Sequence, residues 1–337
     1  MKAMVLTAPG ELVLDEVAKP ARDAGSVLVR VTHSGICGTD YKIFTGSIPV
    51  RYPRIMGHEM AGEVVDADAG GLQSGDRIIV DPELYCGACF HCRIGQTHLC
   101  PNGQLLGRDA NGGFAEYLVA PATHVFPLPD SIDRRAAPII QVLTTCLHAQ
   151  RRIDIFPGES VAVLGLGVTG QLHVQLAKAR GATVIGITRS ADKRKLAETL
   201  GADLTIPGTD DAVRLVREAT EGRGPDVVIE TTGVVPQLAS AVTMVRSGGR
   251  ILMYGIITAK EGSLPFYDLY YKELSLINAR VAKSEDYPGA IGLVERGQVR
   301  LDPLISDVMA LSELKAAIGM LGSDGGAQRM KIVLEHN

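Results

Sequence analysis

Residues 161–170 read VAVLGLGVTG, an apolar run that ends at Gly165, with Gly167 and Gly170 completing a G-x-G-x-x-G spacing. No other stretch limits the fold so tightly. An apolar strand that turns through spaced glycines into a helix is the opening unit of a parallel sheet that binds a dinucleotide. Gly165 permits the tight turn, Gly167 lets backbone approach a pyrophosphate, and Gly170 lets the helix pack closely on the strand. The helix N-terminus then faces the phosphates. A lone motif of this kind is also compatible with a flexible loop, so its surroundings decide. They continue the rhythm: VTGQLHVQLAKARG, ATVIGIT, SADKRKLAETLG, DVVIETTG, VPQLASAVTMVRSGG and RILMYGI alternate helix and strand patterns. That βαβαβ order implies right-handed crossovers and a doubly wound parallel sheet.

The second strand carries the choice of cofactor. A site for NAD usually ends this strand in Asp or Glu, which bonds the ribose 2′-hydroxyl. Here ATVIGIT ends in Thr188, followed by Arg189, Ser190 and ADKR. With no carboxylate to repel a 2′-phosphate, and with Arg189 able to grip one in forked geometry, NADP is preferred over NAD. Ser190 and Lys193 add candidate contacts. The competing reading is that these are solvated loop charges. The expected cofactor set is Gly165, Gly167, Val168, Thr169, Gly170, Thr188, Arg189, Ser190, Lys193 and Thr232.

Residues 1 to about 140 have a different texture. SVLVRVTHSGIC, HEMAGEVVDA, DRIIVDP and FAEYLVAPATHVFPLP are β-prone runs separated by Gly, Pro and Asp. Four of the six cysteines fall between them, in CGACFHCRIGQTHLC. Cys86, Cys89, Cys92 and Cys100 follow C-x2-C-x2-C-x7-C, a loop that points four thiolates at one tetrahedral ion. Zinc takes four sulfurs and keeps no open position, so such a site is structural. An iron–sulfur cluster or unliganded thiols are the alternatives. After about residue 284 come a helical pattern, YPGAIGLVERGQ, a loop, LDPLIS, a second helical pattern, LSELKAAIGML, and a strand, RMKIVLEH.

The chain has 337 residues, 46% hydrophobic and 21% charged, with a net charge of −4 and no Lys/Arg run. That length suits two domains, and the charge argues against nucleic acid as a partner. No segment approaches the ~20 apolar residues of a membrane span, and the N-terminus lacks a signal-peptide pattern. A cytoplasmic location is expected, where clustered cysteines bind metal more readily than they pair.

SGICGTD (residues 34–40) and GHEMAG (57–62) hold the reactive candidates. Cys37 offers a soft thiolate and His58 an imidazole, ligands suited to a catalytic zinc with an open position. Such an ion acts as a Lewis acid on an alcohol or carbonyl oxygen. Thr39 is placed to pass a proton outward, and Asp40 to hold the far nitrogen of a ligating histidine. Singly, Cys37 and His58 are as readily core residues.

Together, GICGTD, GHEMAGEV, the four-cysteine lobe, GGFAEYLV, GLGVTG, DVVIETTG and KELSL make the chain resemble the zinc-dependent medium-chain dehydrogenases, especially their polyol and threonine dehydrogenase-like branches. The resemblance runs over nearly the whole length. It implies a GroES-like β-rich catalytic domain from residues 1–143 and 284–337, with a Rossmann dinucleotide-binding domain at 144–283. It implies two zinc ions and hydride transfer between NADP(H) or NAD(H) and a zinc-bound secondary alcohol or polyol, or the corresponding ketone or aldehyde. By that match Cys37, His58 and Glu59 form the catalytic metal site, Glu59 as ligand or as nearby exchanging carboxylate. Thr39 begins a proton relay, and Asp40 orients His58. It also implies a homodimer or homotetramer paired through edge strands of the nucleotide domain.

Two positions depart from the family pattern. Gln141 stands where relatives carry Glu or Cys; a neutral amide is a poor ligand but can bond a zinc-bound water. Lys42 stands where relatives often carry the histidine that ends the relay. Cys146 reads as a core residue. Candidates to line the substrate cleft are Lys42, Phe44, Ile48, Arg51, Arg108 and Tyr117, with Arg280, a polar and basic set that favours a polyhydroxy or anionic substrate. Two other readings compete with the dehydrogenase: a zinc-free quinone-reductase-like enzyme, opposed by the cysteine lobe, and a non-catalytic nucleotide sensor, supported only by Gln141.

Overall fold

A computed structural model describes residues 1–322 and 329–336. It divides the chain into two units, Met1–Thr144 with Lys283–Glu295 and Leu301–Asn337, and Thr145–Ala282 with Arg296–Arg300.

The first unit opens with β1 (Lys2–Ala8), β2 (Glu11–Glu16) and the long strand β3 (Ser26–Gly35), then α1 (Gly38–Phe44), β4 (Arg54–Ile55), β5 (Glu59–Ala67) and β6 (Arg77–Val80). β7 (Glu83–Leu84), α2 (Phe90–Arg93) and β8 (Gln104–Leu105) frame the cysteine segment, and β9 (Tyr117–Pro121) and β10 (Val125–Pro127) follow. α3 (Ile139–Arg151) carries the chain past Thr144.

The second unit runs β11 (Ser160–Leu164), α4 (Val168–Ala179), β12 (Thr183–Thr188), α5 (Ala191–Thr199), β13 (Leu204–Pro207), α6 (Ala212–Ala219), β14 (Val227–Glu230), α7 (Val235–Met244), β15 (Arg250–Met253), α8 (Phe266–Tyr271) and β16 (Ser275–Asn278). The chain then returns to the first unit through α9 (Asp286–Glu295), β17 (Ile305–Ala310), α10 (Leu314–Leu321) and β18 (Lys331–Glu335).

The second unit is a six-stranded parallel sheet in the order β13-β12-β11-β14-β15-β16. Its central strands SVAVL and VVIE are buried at every position, as a parallel sheet covered on both faces requires. Alternate side chains enter opposite cores: Val161, Val163 and Ile229 join one cluster, Ala162, Leu164 and Val228 the other. This order is the Rossmann topology, reversing direction between β11 and β14. β13 and β16, absent from the sequence reading, are four-residue strands at the sheet's edges, and β16 exposes most of its side chains, so neither shows an apolar run.

β3 organises the first unit. Its β-branched residues pair antiparallel with β5, β9 and β18 in a seven-stranded sheet, and a separate sheet joins β2, β1 and β4. LDPLIS, expected as a loop, contains a 3-10 turn at Asp302–Leu304, and β17 begins at Ile305 to run parallel to β18. The side chains of β17 alternate between half-buried and exposed, which hides the strand in a hydropathy reading. No helix among the described residues is long and apolar enough to cross a membrane.

Candidate active site and metal centres

Three neighbouring strands of the first unit bring the reactive candidates together. β3 ends at Gly35, which faces Glu59 at the start of β5 on one side and Val333 of β18 on the other. Cys37 follows as the N-cap of α1, His58 precedes β5, and Lys331 begins β18. One ligand atom each from Cys37, His58 and Glu59 lies within 4.8 Å of the others. A side chain at position 35 would meet the Glu59 carboxylate at 2.1 Å, so this close approach needs glycine.

Asp40 is fully buried under the pair. Its Oδ2 accepts the Cys37 amide N–H at 2.9 Å, and its Oδ1 approaches His58 Nδ1 at 3.4 Å. Burial acts to lower the His58 imidazole, but the charge of Asp40 and the neighbouring Cys37 outweigh it and hold the ring well above its ordinary value. A buried ring in so negative a field is the electrostatics of a cation site. The donor set of soft sulfur, imidazole and carboxylate is one that zinc accepts, so the residues fit the metal. Thr39 lies half-buried in the first turn of α1, and Lys42 is exposed on the same helix. Gln141 is buried at the start of α3.

Sequence reasoning missed Lys331. Its Nζ donates to both Glu59 oxygens, at 2.8 and 2.7 Å, and to the Ile36 carbonyl at 3.1 Å. Both partners are almost wholly buried. Burial lowers the Lys331 ammonium, yet the charges of Glu59 and Cys37 raise it above its ordinary value. The only signal was a lysine at the head of the apolar run KIVLE.

The cysteine lobe is also assembled in the first unit. Cys86, Cys89, Cys92 and Cys100 place their sulfurs within 4.8 Å of one another, and none is in a disulfide. The Cys86–Cys92, Cys89–Cys100 and Cys100–Cys86 separations are 4.0, 3.8 and 3.5 Å. A tetrahedron with zinc–sulfur bonds of about 2.3 Å has edges of about 3.8 Å, so the geometry fits the ion. The amides of Ala88 and Cys89, with the Cys100 thiol, hold Cys86 down at about 6.

In the second unit the glycines behave as steric rules demand. Gly165 has φ +88°, and a side chain there would meet Thr231 Oγ1 at 2.7 Å. One at Gly170 would meet the Gly165 carbonyl at 1.9 Å, whereas Gly167 faces open space at the N-cap of α4, with Val168 and Thr169 next in line. Glu230, fully buried and missed by sequence reasoning, accepts hydrogen bonds from the Thr232 amide at 2.6 Å, the Thr232 hydroxyl and the Gly233 amide. Thr231 in turn donates to the Leu164 and Gly165 carbonyls at 2.8 and 2.9 Å. The carboxylate thus closes the loop after β14 on itself, and the Thr231 hydroxyl ties that loop to the glycine turn.

At the end of β12, Arg189 is exposed beyond Thr188. Arg194 Nη1 donates to the Thr188 and Arg189 carbonyls at 2.8 and 3.0 Å, fixing that corner. Ser190 caps α5, its hydroxyl accepting the Lys193 amide at 3.4 Å, and burial lowers the Lys193 ammonium. Cys146 is fully buried in the second unit against the Tyr254 hydroxyl at 3.5 Å, and burial pushes its thiol up to about 12.

The substrate candidates separate. Arg51 and Arg108 line one cavity together with Arg54, while Tyr117 lines another beneath the Lys19 ammonium. Phe44 and Ile48 pack on the core beside α1, and Arg280 belongs to the second unit.

Comparison with known proteins gives two family matches, the alcohol dehydrogenase GroES-like domain over residues 23–130 and the zinc-binding dehydrogenase domain over residues 168–296. The 2-dehydro-3-deoxy-L-galactonate 5-dehydrogenase of Pseudoalteromonas atlantica is 34% identical over 94% of this chain and 93% of its own length. The sorbitol dehydrogenase of Halalkalibacterium halodurans is 31% identical over 99% of both. A Sinorhizobium meliloti protein assigned to the zinc-binding dehydrogenases, solved with NADP bound, superimposes with a TM-score of 0.93 at 33% identity, covering 99% of this chain and 98% of that one.

Proposed function

This chain belongs to the zinc-type medium-chain dehydrogenases, and we propose that Cys37, His58 and Glu59 form its catalytic zinc site while the four-cysteine lobe binds a second, structural zinc. The protein is an NAD(P)-dependent zinc dehydrogenase of alcohols or polyols. When bound, the ion supplies Lewis acidity to an alcohol or carbonyl oxygen and the nicotinamide exchanges a hydride with the adjacent carbon. The chain's own residues do the remaining work. Cys37 and His58 hold the ion, and Asp40 fixes the orientation of both by bonding the Cys37 amide and facing His58. Thr39, at the edge of the buried cluster, carries the substrate hydroxyl proton outward. Lys331 holds the Glu59 carboxylate in place beside the two other ligands by donating to both of its oxygens. The convergence of half-buried Cys37 with buried His58 and Glu59 in one cluster carries this reading, and it opposes the nucleotide-sensor alternative.

NADP is the preferred cofactor. Thr188 offers no carboxylate against a 2′-phosphate, Arg189 is exposed for one, and Arg194 stiffens the corner that presents it. The NADP bound to the S. meliloti relative supports this choice. Polyols are the substrate class, in keeping with the sugar-acid and sorbitol enzymes among the relatives. A homodimer or homotetramer is supported by β16, whose outer edge ends the sheet, and by the exposed Tyr267, Tyr270 and Tyr271 of α8; light scattering checks it. Metal-binding rather than paired cysteines support a cytoplasmic location, which cell fractionation tests.

Metal analysis and cofactor kinetics on one preparation test the core of the proposal. Protein purified without chelator should carry two zinc ions per chain, and kcat/KM should be higher with NADPH than with NADH. Arg189→Ala should lower that ratio about tenfold, the loss of one forked contact to phosphate. An NADH preference untouched by the substitution overturns the cofactor choice. A single zinc that survives Cys37→Ala overturns the site.

A further inference from the structure

The first unit contains a cavity of about 710 Å³ walled by residues 49–51, Arg54, residues 102–104, Arg108 and Asp109. Three guanidinium groups face it with one carboxylate. That carboxylate is already spent: Arg108 Nε donates to Asp109 Oδ1 and Oδ2 at 3.2 and 3.0 Å, and its Nη2 donates to Oδ2 at 2.7 Å. Asp109 also accepts the Leu105 amide at 2.8 Å, which fixes it to the loop.

Arg51 and Arg54 form no ion pair among the described residues, and the charge of Asp109 acts on Arg54 without bonding it. Arg54 is half-buried and held by a single hydrogen bond from Nη1 to Asn111 Oδ1 at 3.2 Å, while its buried Nε has no partner. Arg51 is exposed and makes no hydrogen bond or ion pair among the described residues. Burial, then the like charge of Arg51, lower the Arg54 guanidinium despite the opposing pull of Asp109. Two like charges converging on a concave site gain from an anion that both can bind, and arginine forks match carboxylate and phosphate oxygens.

The cavity is also tethered to the reactive centre. Arg54 precedes His58 by four residues, a chain length of at most about 14 Å. A five- or six-carbon chain with an arginine reaching toward its far end covers a similar span.

We propose that this cavity is the subsite for an anionic end group, a carboxylate or phosphate monoester, carried by the polyol substrate, with Arg51 and Arg54 as specificity-determining residues. The assignment rests on the dehydrogenase reading above and narrows it from polyols to sugar acids and polyol phosphates. It differs from the sequence expectation in using Arg54, which was not singled out, and in excluding Lys42 and Tyr117 from the subsite.

The experiment compares sorbitol, gluconate and sorbitol 6-phosphate as substrates of the zinc-loaded enzyme, with inorganic phosphate as inhibitor. Wild type should favour at least one anionic compound over sorbitol in kcat/KM, mainly through KM. Arg51→Gln, and separately Arg54→Lys, should reduce the anionic-to-neutral kcat/KM ratio about tenfold for the former and less for the latter, which keeps its charge. Inorganic phosphate should compete with the anionic substrate, and calorimetry should show its affinity falling in Arg51→Gln. Equal kcat/KM for all three compounds, or an unchanged ratio in Arg51→Gln, overturns the subsite and leaves the dehydrogenase intact. Phosphate that binds but inhibits non-competitively also overturns it, by making the cavity a separate effector site. If no polyol, charged or neutral, is oxidised, the dehydrogenase reading fails. A loss of phosphate affinity in Arg51→Gln then still upholds the anion cavity itself.

Discussion

The two proposed metal centres are built on opposite plans within the same unit. The cysteine lobe draws all its ligands from fifteen consecutive positions, Cys86 to Cys100, and they are exposed or half-buried. Its sulfurs are stabilised by backbone amides of the same loop, Cys89 N–H on Cys86 at 3.4 Å and Cys92 N–H on Cys89 at 3.5 Å. The catalytic centre draws Cys37, His58 and Glu59 from either side of a strand pairing, and Lys331 from near the C-terminus. Its charges are buried and must compensate one another. A local site of this kind depends on its metal for shape, whereas the non-local one depends on the sheet and lends the metal an environment already made.

The sharpest way to break this contrast is to remove one thiol from each. Cys37→Ala should abolish activity and release one zinc while leaving the melting temperature close to wild type. Cys100→Ala should also release one zinc, but it should lower the melting temperature clearly, because no packed core holds that loop once the ion is lost. Metal analysis and calorimetry on both variants decide it. If both melt alike, the two centres are not of different kinds.

The next largest effect concerns the ion pair that the lobe lacks. Lys331→Met leaves the Glu59 charge buried without its ammonium, and breaking a buried pair costs about 3–5 kcal/mol. Adding Glu59→Gln to that variant should recover most of the loss, since an uncharged pair needs no compensation. Denaturant unfolding of the single and double variants measures this. A double variant as unstable as Lys331→Met would show that the lysine acts through packing, and the plan drawn for the catalytic centre would lose its electrostatic part.

The same division explains what the sequence made legible. The cysteine spacing and the glycine turn are short-range patterns, in which residues that act together are written together, so both were readable in the string. The parallel sheet was readable because β11 and β14 are continuous apolar runs. β13, β16 and β17 were not, because edge strands expose enough side chains to blur any apolar pattern. Cys37 and His58 became persuasive only as parts of familiar segments. Lys331, Glu230 and Arg54 went unnoticed because each earns its place through a partner distant in sequence or supplied by folding: Glu59 for the first, a loop's amides for the second, and the Arg51–Arg108 cavity for the third. A charged residue reads as a solvated one until the fold shows what faces it.

The smallest expected effect tests how each centre orients its ligands. Asp40 is buried, accepts the Cys37 amide and faces His58 Nδ1 at 3.4 Å. Asp40→Asn keeps an oxygen for the amide but removes the charge that favours a cation nearby. Outer partners of this kind are worth about 10- to 100-fold in metal affinity or activity. The corresponding contact in the lobe, Asn102 Nδ2 to Cys86 Sγ at 3.9 Å, is long and comes from an uncharged amide. Asn102→Ala should therefore change zinc retention by roughly a factor of two, the value of a weak hydrogen bond. Zinc release into a chromogenic chelator, followed in wild type and both variants, separates a much faster-emptying catalytic centre from a lobe that changes little. Equal sensitivity of the two would mean that the lobe, too, relies on side chains beyond its four sulfurs, and that its independence from the surrounding fold is less complete than its spacing suggests.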